Sequence, residues 1–292
     1  MSAAFQRIIT VMLENATRES VLQNPYMNSL RSKGVFLANS FGVTHSSQPN
    51  YIAITGGDTF GIWNDDSGWV QWIYEPKAPP VTSIIDLLEA QGLTWKAYAE
   101  DLKKSDIVTD TSTTPPTGHG RFARKHVPFL SYPNIVTVPA RAANIVNAEK
   151  HFEADRKAGK LPNYSFYTPN LINDGHSQTV SEQKVTRIDP QNSEAVNIDN
   201  IERFLKSFRG DDPIARFPPE TLIAITFDEA YPYYEGYNIY TLLIGDMLEA
   251  GTVRTEPYNH YSLLRSVEVN FGTGTLRRND TAATPYWFLP GS

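Results

Sequence analysis

Two short acidic runs each close a hydrophobic stretch. Ile9-Thr10-Val11-Met12-Leu13 leads into Glu14-Asn15, and Leu222-Ile223-Ala224-Ile225-Thr226-Phe227 leads into Asp228-Glu229. Both apolar runs have the length and β-branched content of buried strands, and ligands of open α/β sheets collect beyond the carboxyl ends of strands. If the two runs end at one crevice, three carboxylates and an amide meet there. Such a set repels itself unless a cation lies within it, so it reads as an oxygen-rich metal site. Taken singly, either pair could simply open a turn or cap a helix.

Two further stretches carry chemistry. Thr44-His45-Ser46-Ser47-Gln48-Pro49-Asn50-Tyr51-Ile52-Ala53-Ile54-Thr55-Gly56-Gly57 reads as a helix start with proline in the first turn. A serine there faces free backbone N–H groups and the positive end of the helix dipole, a setting that suits phosphate. Its hydroxyl is a poor nucleophile while protonated, and coordination to a metal removes that obstacle. The plain alternative is an ordinary N-cap. Pro169-Asn170-Leu171-Ile172-Asn173-Asp174-Gly175-His176 follows the strand-like Ser165-Phe166-Tyr167-Thr168. Its Asp-Gly pair signals a tight turn, which would bring Asp174 and His176 to the same sheet edge as the acidic pairs.

In their order along the chain, these stretches resemble the phosphoesterase family of acid phosphatases and bacterial phospholipases C, within the alkaline-phosphatase superfamily. The likeness is strongest to the fungal acid phosphatases. It is carried by Leu13-Glu14-Asn15, the Thr44–Asn50 block, and Phe60-Gly61-Ile62-Trp63-Asn64-Asp65-Asp66. It continues through Arg124-Lys125-His126-Val127-Pro128-Phe129, Thr168 to His176, Thr226-Phe227-Asp228-Glu229 and His260 to Glu268. The resemblance implies a divalent metal held by Glu14, Asn15, Ser47, Asp228 and Glu229, with Ser47 as nucleophile and Ser46 beside it as the alternative. It implies that Asn64 or Asp65 faces the phosphate oxygens. His126 and His176 would contact the phosphoryl group or protonate the leaving oxygen, with Asp174 supporting His176. The oxygen ligands favour calcium, magnesium or manganese, while zinc or iron would need a histidine ligand. Many relatives have proline where Ser46 stands and an acid where Ser177 stands.

The implied reaction is phosphoester hydrolysis through a phosphoserine, acid-phosphatase-like on monoesters. A diesterase of phospholipase C type and a catalytically weak anion-binding module are the alternatives. Aromatic residues at Trp69, Trp72, Tyr74, Tyr231, Tyr233 and Tyr234 could wall an organic leaving group or simply pack a surface loop. His45 and His260 have plain readings as a local backbone bond and a helix-start contact. His119 and His151 read as surface residues.

Alternating apolar runs and amphipathic stretches give the α/β pattern. With the resemblance, this makes a central, mostly parallel sheet flanked by helices on both faces, as one domain over residues 1–292. Strands are predicted at Ile8–Leu13, Val35–Asn39, Trp95–Ala99, Tyr164–Thr168, Leu222–Phe227 and Tyr240–Ile244. Helices are predicted at Pro49–Ile54, Ser83–Gln91, Val138–Lys157, Asn197–Phe208 and Tyr261–Asn270. Residues 101–132 read as a long surface excursion.

A net charge of −6 without a basic run argues against nucleic acid or an anionic membrane surface as the main partner, and an anionic substrate would need local cations. The resemblance implies that this substrate is a small phosphorylated molecule. The absence of cysteine excludes disulfides, thiolate zinc sites and cysteine nucleophiles. No apolar run is long enough to span a membrane. If Met1 is the native start, the reading is cytoplasmic; a removed signal peptide would make it secreted. Sequons begin at Asn15, Asn163 and Asn279, the first of them inside the presumed metal site.

Overall fold

The computed structural model describes residues 3–66, 68–71, 79–176, 193–210, 212–232 and 236–286. Trp72, Tyr74, Ser177, Tyr233 and Tyr234 lie outside the described residues. The main sheet is built from β1 (Arg7–Leu13), β2 (Val35–Leu37), β3 (Trp95–Ala99), β4 (Ile145–Asn147), β5 (Tyr164–Thr168), β6 (Thr221–Phe227), β7 (Thr241–Ile244) and β8 (Val253–Arg254). Their order across the sheet is β8-β2-β7-β6-β1-β5-β3-β4. Only β7 pairs antiparallel, with β6 and β2; every other pairing is parallel.

Strand alternation feeds two cores. From β1, Ile8 and Met12 enter one core, and Ile9, Val11 and Leu13 the other. The first core is closed by α3 (Ser47–Gly56), α4 (Ile84–Ala90) and α7 (His260–Phe271), through residues such as Ile52, Leu88 and Leu264. The second is closed by α1 (Arg18–Gln23), α2 (Pro25–Leu30), α5 (Ala148–Lys157) and α6 (Ser193–Arg209), through Val21, Met27, Phe152 and Leu205. Helices on both faces are what buried parallel strands require. No helix among the described residues is long and apolar enough to cross a membrane.

Two expectations change. The helix predicted over Val138–Lys157 is interrupted: a short turn at Pro139–Ala142 precedes edge strand β4, and α5 starts only after it. Asn147 ends β4 and caps α5, its side chain accepting from the Lys150 N–H at 3.0 Å. The 101–132 segment is exposed only in part. Phe122, Arg124, His126, Val127, Phe129, Leu130 and Tyr132 are buried, so its second half is a wall of the core.

One acidic pair lies in the core away from the sheet edge. Glu268 on α7 and Asp280 both accept from the Leu276 N–H, at 3.3 and 2.8 Å. Burial, then the Asp280 charge, pushes the Glu268 carboxyl up to about 8, with Arg265 at 3.3 Å pulling the other way. A carboxyl raised on folding holds its proton more tightly in the fold than in the unfolded chain. Its contribution is therefore intact below the ordinary value of 4.5 and is lost as pH rises through about 8. Glu268→Gln should change little at pH 5 and stabilise by roughly 2 kcal/mol at pH 9. Urea unfolding at the two pH values checks this, and an equal effect at both would contradict it.

Candidate active site

The site forms where three neighbouring strands end. β1 lies between β6 and β5, and the β1–β6 register runs to Leu13 opposite Phe227. The next residues, Glu14 and Asp228, are therefore placed side by side by backbone pairing. The Asp228 N–H continues the ladder to Leu13 O at 2.9 Å. The Asn15 N–H donates to Asp228 Oδ1 at 3.1 Å, and its side-chain amide to Glu14 Oε2 at 3.0 Å. Asn15 manages this at φ 55°, a left-handed conformation that asparagine tolerates. The loop after β5 is tied in by the Glu14 N–H, which donates to Asp174 O at 2.8 Å. Gly175 turns that loop at φ +96°, where a Cβ would meet Ile201 at 2.6 Å.

Helix α3 brings the serine. It starts at Ser47, two residues before the predicted start, and all ten of its residues are buried. Asn50 fixes the approach: its Oδ1 accepts from the N–H groups of Val43 and Thr44, and its Nδ2 donates to the carbonyls of Thr44 and Ser46. Gly42 lets this loop lie against the acids, since a Cβ there would come within 3.1 Å of Asp228 O. The Ser47 hydroxyl consequently lies 3.2 Å from both Glu14 Oε2 and Glu229 Oε1. Ser46 is the N-cap, and its hydroxyl makes no hydrogen bond among the described residues.

Histidines hold the acids in place. The ring nitrogens of buried His126 lie 2.9 Å from Glu14 Oε1 and 3.1 Å from Asp174 Oδ2, and the ring stacks on Tyr51 at 5.0 Å. His176 lies beside it, 5.7 Å between ring centres, and its backbone N–H donates to Asp174 Oδ1 at 2.8 Å. His260 Nε2 donates to the Asp228 carbonyl at 2.6 Å, and His45 Nδ1 lies 2.5 Å from Glu229 Oε2. Both histidines therefore support the acidic run at the end of β6, across a chain distance that local readings do not reach.

The charges are poorly matched as they stand. Burial, then the charges of Glu14 and Glu229, raises Asp228 well above the carboxylate range. Burial and Glu14 push Glu229 up to about 8, and burial takes Asp174 to about 6 against the pull of His126. Burial opposes ionisation of both Glu14 and His126, yet their mutual attraction wins. Glu14 is held well below its usual range, and His126, also bonded to Asp174, rises to about 9. Burial lowers His176 to about 4.

Asp228 Oδ2 is buried with no hydrogen-bond donor among the described residues. Acids that burial and one another drive toward protonation, with an orphaned oxygen among them, fit a hard cation. Among the described residues no three His, Asp or Glu side chains yet close to metal-holding distances; the Ser47 hydroxyl stands between Glu14 and Glu229.

Glu14, Asn15, Ser47, His126, Asp174, His176, Asp228 and Glu229 thus come together. The Asn64 side chain bonds Asp66. Asp65 does border the serine, but as an acceptor: Oδ1 takes the Gln48 N–H at 2.9 Å and Oδ2 lies 2.7 Å from Lys125 Nζ. Sequence reasoning assigned no role to Lys125, Asn50 or Tyr51, although each stands in a quoted block. The side-chain amide nitrogen of each sequon asparagine donates within the fold, to Glu14, Gln6 O and Gly57 O.

Comparison with known proteins shows the family and the fold. Residues 20–274 match the Phosphoesterase family. A probable acid phosphatase of Kluyveromyces lactis is 32% identical over 281 residues, covering 95% of this chain and 61% of that protein. A phosphatidylinositol-3-phosphatase of Mycobacterium tuberculosis is 27% identical, covering 92% of this chain and 77% of its own length. The chain thus spans about three fifths of the fungal relative. Among solved structures, an alkaline phosphatase superfamily protein from Vibrio parahaemolyticus superposes with a TM-score of 0.57 at 12% identity, covering 96% of this chain and 71% of the other. The lipoteichoic acid synthase LtaP of Listeria monocytogenes gives 0.58 at 10% identity, covering 93% and 74%. The superfamily fold expected from the sequence is the fold observed.

Proposed function

Because the chain belongs to the Phosphoesterase family, we propose that it hydrolyses phosphoric monoesters through a phosphoserine formed on Ser47. The observation that carries this reading is the Ser47 hydroxyl, buried at the start of α3 and 3.2 Å from two carboxylates that end different strands. Its relatives bear phosphatase names, which favours monoesters over diesters.

Glu14, Asn15, Ser47, Asp228 and Glu229 would hold a hard divalent cation. Such a cation, when bound, neutralises phosphoryl charge and makes a serine alkoxide accessible near neutral pH. Ser47 Oγ forms the new bond to phosphorus as the bond to the leaving oxygen breaks, and the hydroxyl proton leaves along its hydrogen bond to Glu14 or Glu229. In acid, where the lowered His176 carries its proton, the imidazolium gives that proton to the leaving oxygen and then takes one from the water that cleaves the phosphoserine. His126, engaged on both nitrogens, fixes Glu14 and Asp174.

Phosphate release from para-nitrophenyl phosphate and from its bis-ester, with divalent metal restored, tests the reading. The monoester should be the better substrate, and acid quenching during turnover should trap phosphate on Ser47, visible by peptide mass spectrometry. No release from any monoester with calcium, magnesium, manganese or zinc would end it.

A further inference from the structure

Beside the first turn of the serine's helix stands a lysine that can meet an anion. Lys125 stands on a short turn, Arg124–His126, whose last residue is locked against Glu14 and Asp174. Its ammonium lies 2.7 Å from Asp65 Oδ2, while the other oxygen of Asp65 accepts the N–H of Gln48, the residue after Ser47. One carboxylate therefore ties the ammonium to the first turn of the nucleophile's helix. Arg124, the neighbouring cation, points elsewhere: it donates to Leu130 O and lies over the Trp69 ring. The Lys125 side chain is only 15% exposed, and its charge is felt by Glu14, Glu229 and His176.

We propose that Lys125 binds a non-bridging phosphoryl oxygen of the substrate, that Asp65 positions it, and that this cation biases the site toward monoesters. The proposal rests on the phosphoester reading above. Asp65 itself cannot fill the part: an ionised carboxylate only accepts hydrogen bonds and repels phosphate. An ammonium has three N–H bonds, and the one given to Asp65 leaves two for a ligand. Stability alone is a weak reason to bury such a pair, since desolvation commonly cancels the attraction. A monoester dianion carries one more negative charge than a diester. Loss of a cation at the phosphoryl group should therefore fall more heavily on the monoester.

The test compares wild type, Lys125→Met, Lys125→Arg and Asp65→Asn as full chains with metal restored. It reads kcat/KM for para-nitrophenyl phosphate and its bis-ester, the inhibition constant of inorganic phosphate, metal content and melting temperature. Lys125→Met should lower the monoester-to-diester ratio at least tenfold and weaken phosphate inhibition about tenfold, with metal content unchanged. Lys125→Arg should recover part of both, and Asp65→Asn should lower the ratio a few fold.

Equal losses on both esters with unchanged phosphate inhibition would show a merely structural lysine and overturn the proposal. If Lys125→Met does not fold, Lys125→Arg and Asp65→Asn decide: an unaltered ratio in both overturns it. A wild type that neither turns over nor binds phosphate removes the functional reading and this one together. An active wild type with an unaffected Lys125→Met removes this one alone.

Discussion

Ser47→Ala is expected to lower phosphate release by about 10^4-fold or more while leaving the chain folded. Ser47 is the first residue of a buried helix, where alanine is well tolerated, and its backbone position is held by Asn50 and Gly42 rather than by its own hydroxyl. The loss therefore reports chemistry. Ser46→Ala supplies the contrast: its hydroxyl touches none of the acids, so activity should stay within about tenfold of wild type. Steady-state rates, far-ultraviolet circular dichroism and the acid-quench assay together read the outcome. Retained turnover in Ser47→Ala, or a collapse confined to Ser46→Ala, would move the nucleophile.

Asp228→Asn should reduce metal-dependent turnover by about 10^3-fold and yet raise the melting temperature of the metal-free protein. Asp228 is fully buried, and Glu14 and Glu229 add to burial in raising its carboxyl. Such a group is harmless below its ordinary value of 3.8 and increasingly unfavourable as pH rises above it, because the fold favours the proton that the unfolded chain has lost. An amide removes that penalty and can donate to the acids beside it, so its stabilising effect should grow between pH 5 and pH 8. The same substitution discards a charge that the cation would need. Metal content by atomic emission and melting curves after chelation check both signs. A variant that is destabilised without metal yet keeps its metal and its activity would contradict the assignment.

Six strands were readable in the residues because each is a short apolar run, buried on both faces and bounded by polar or turn residues. The helix over Val138–Lys157 failed because Ile145-Val146-Asn147 is too brief for periodicity to mark it as an edge strand. The short helices α1 and α2 escaped for a similar reason; their signals are caps, Thr17 on the Ser20 N–H and Asn24 on the Met27 N–H. In the site, acids at strand ends follow from topology, and the serine from its helix start. Lys125 could not be recognised in this way. In Arg124-Lys125-His126 a lysine looks like a solvated charge, and only Asp65, sixty residues earlier, makes it part of the site. His260 and His45 were equally silent, since their partners, Asp228 O and Glu229, are 32 and 184 residues away.

The central place of β1 has a consequence for how the chain is made. Its partners, β5 and β6, begin more than 150 and 210 residues later. During synthesis, Ile8 to Leu13 therefore leaves the ribosome as an apolar ribbon with both edges open, long before anything can pair with it. Chaperone occupancy of a nascent chain halted just before Tyr164 should exceed that of one halted beyond Asp228.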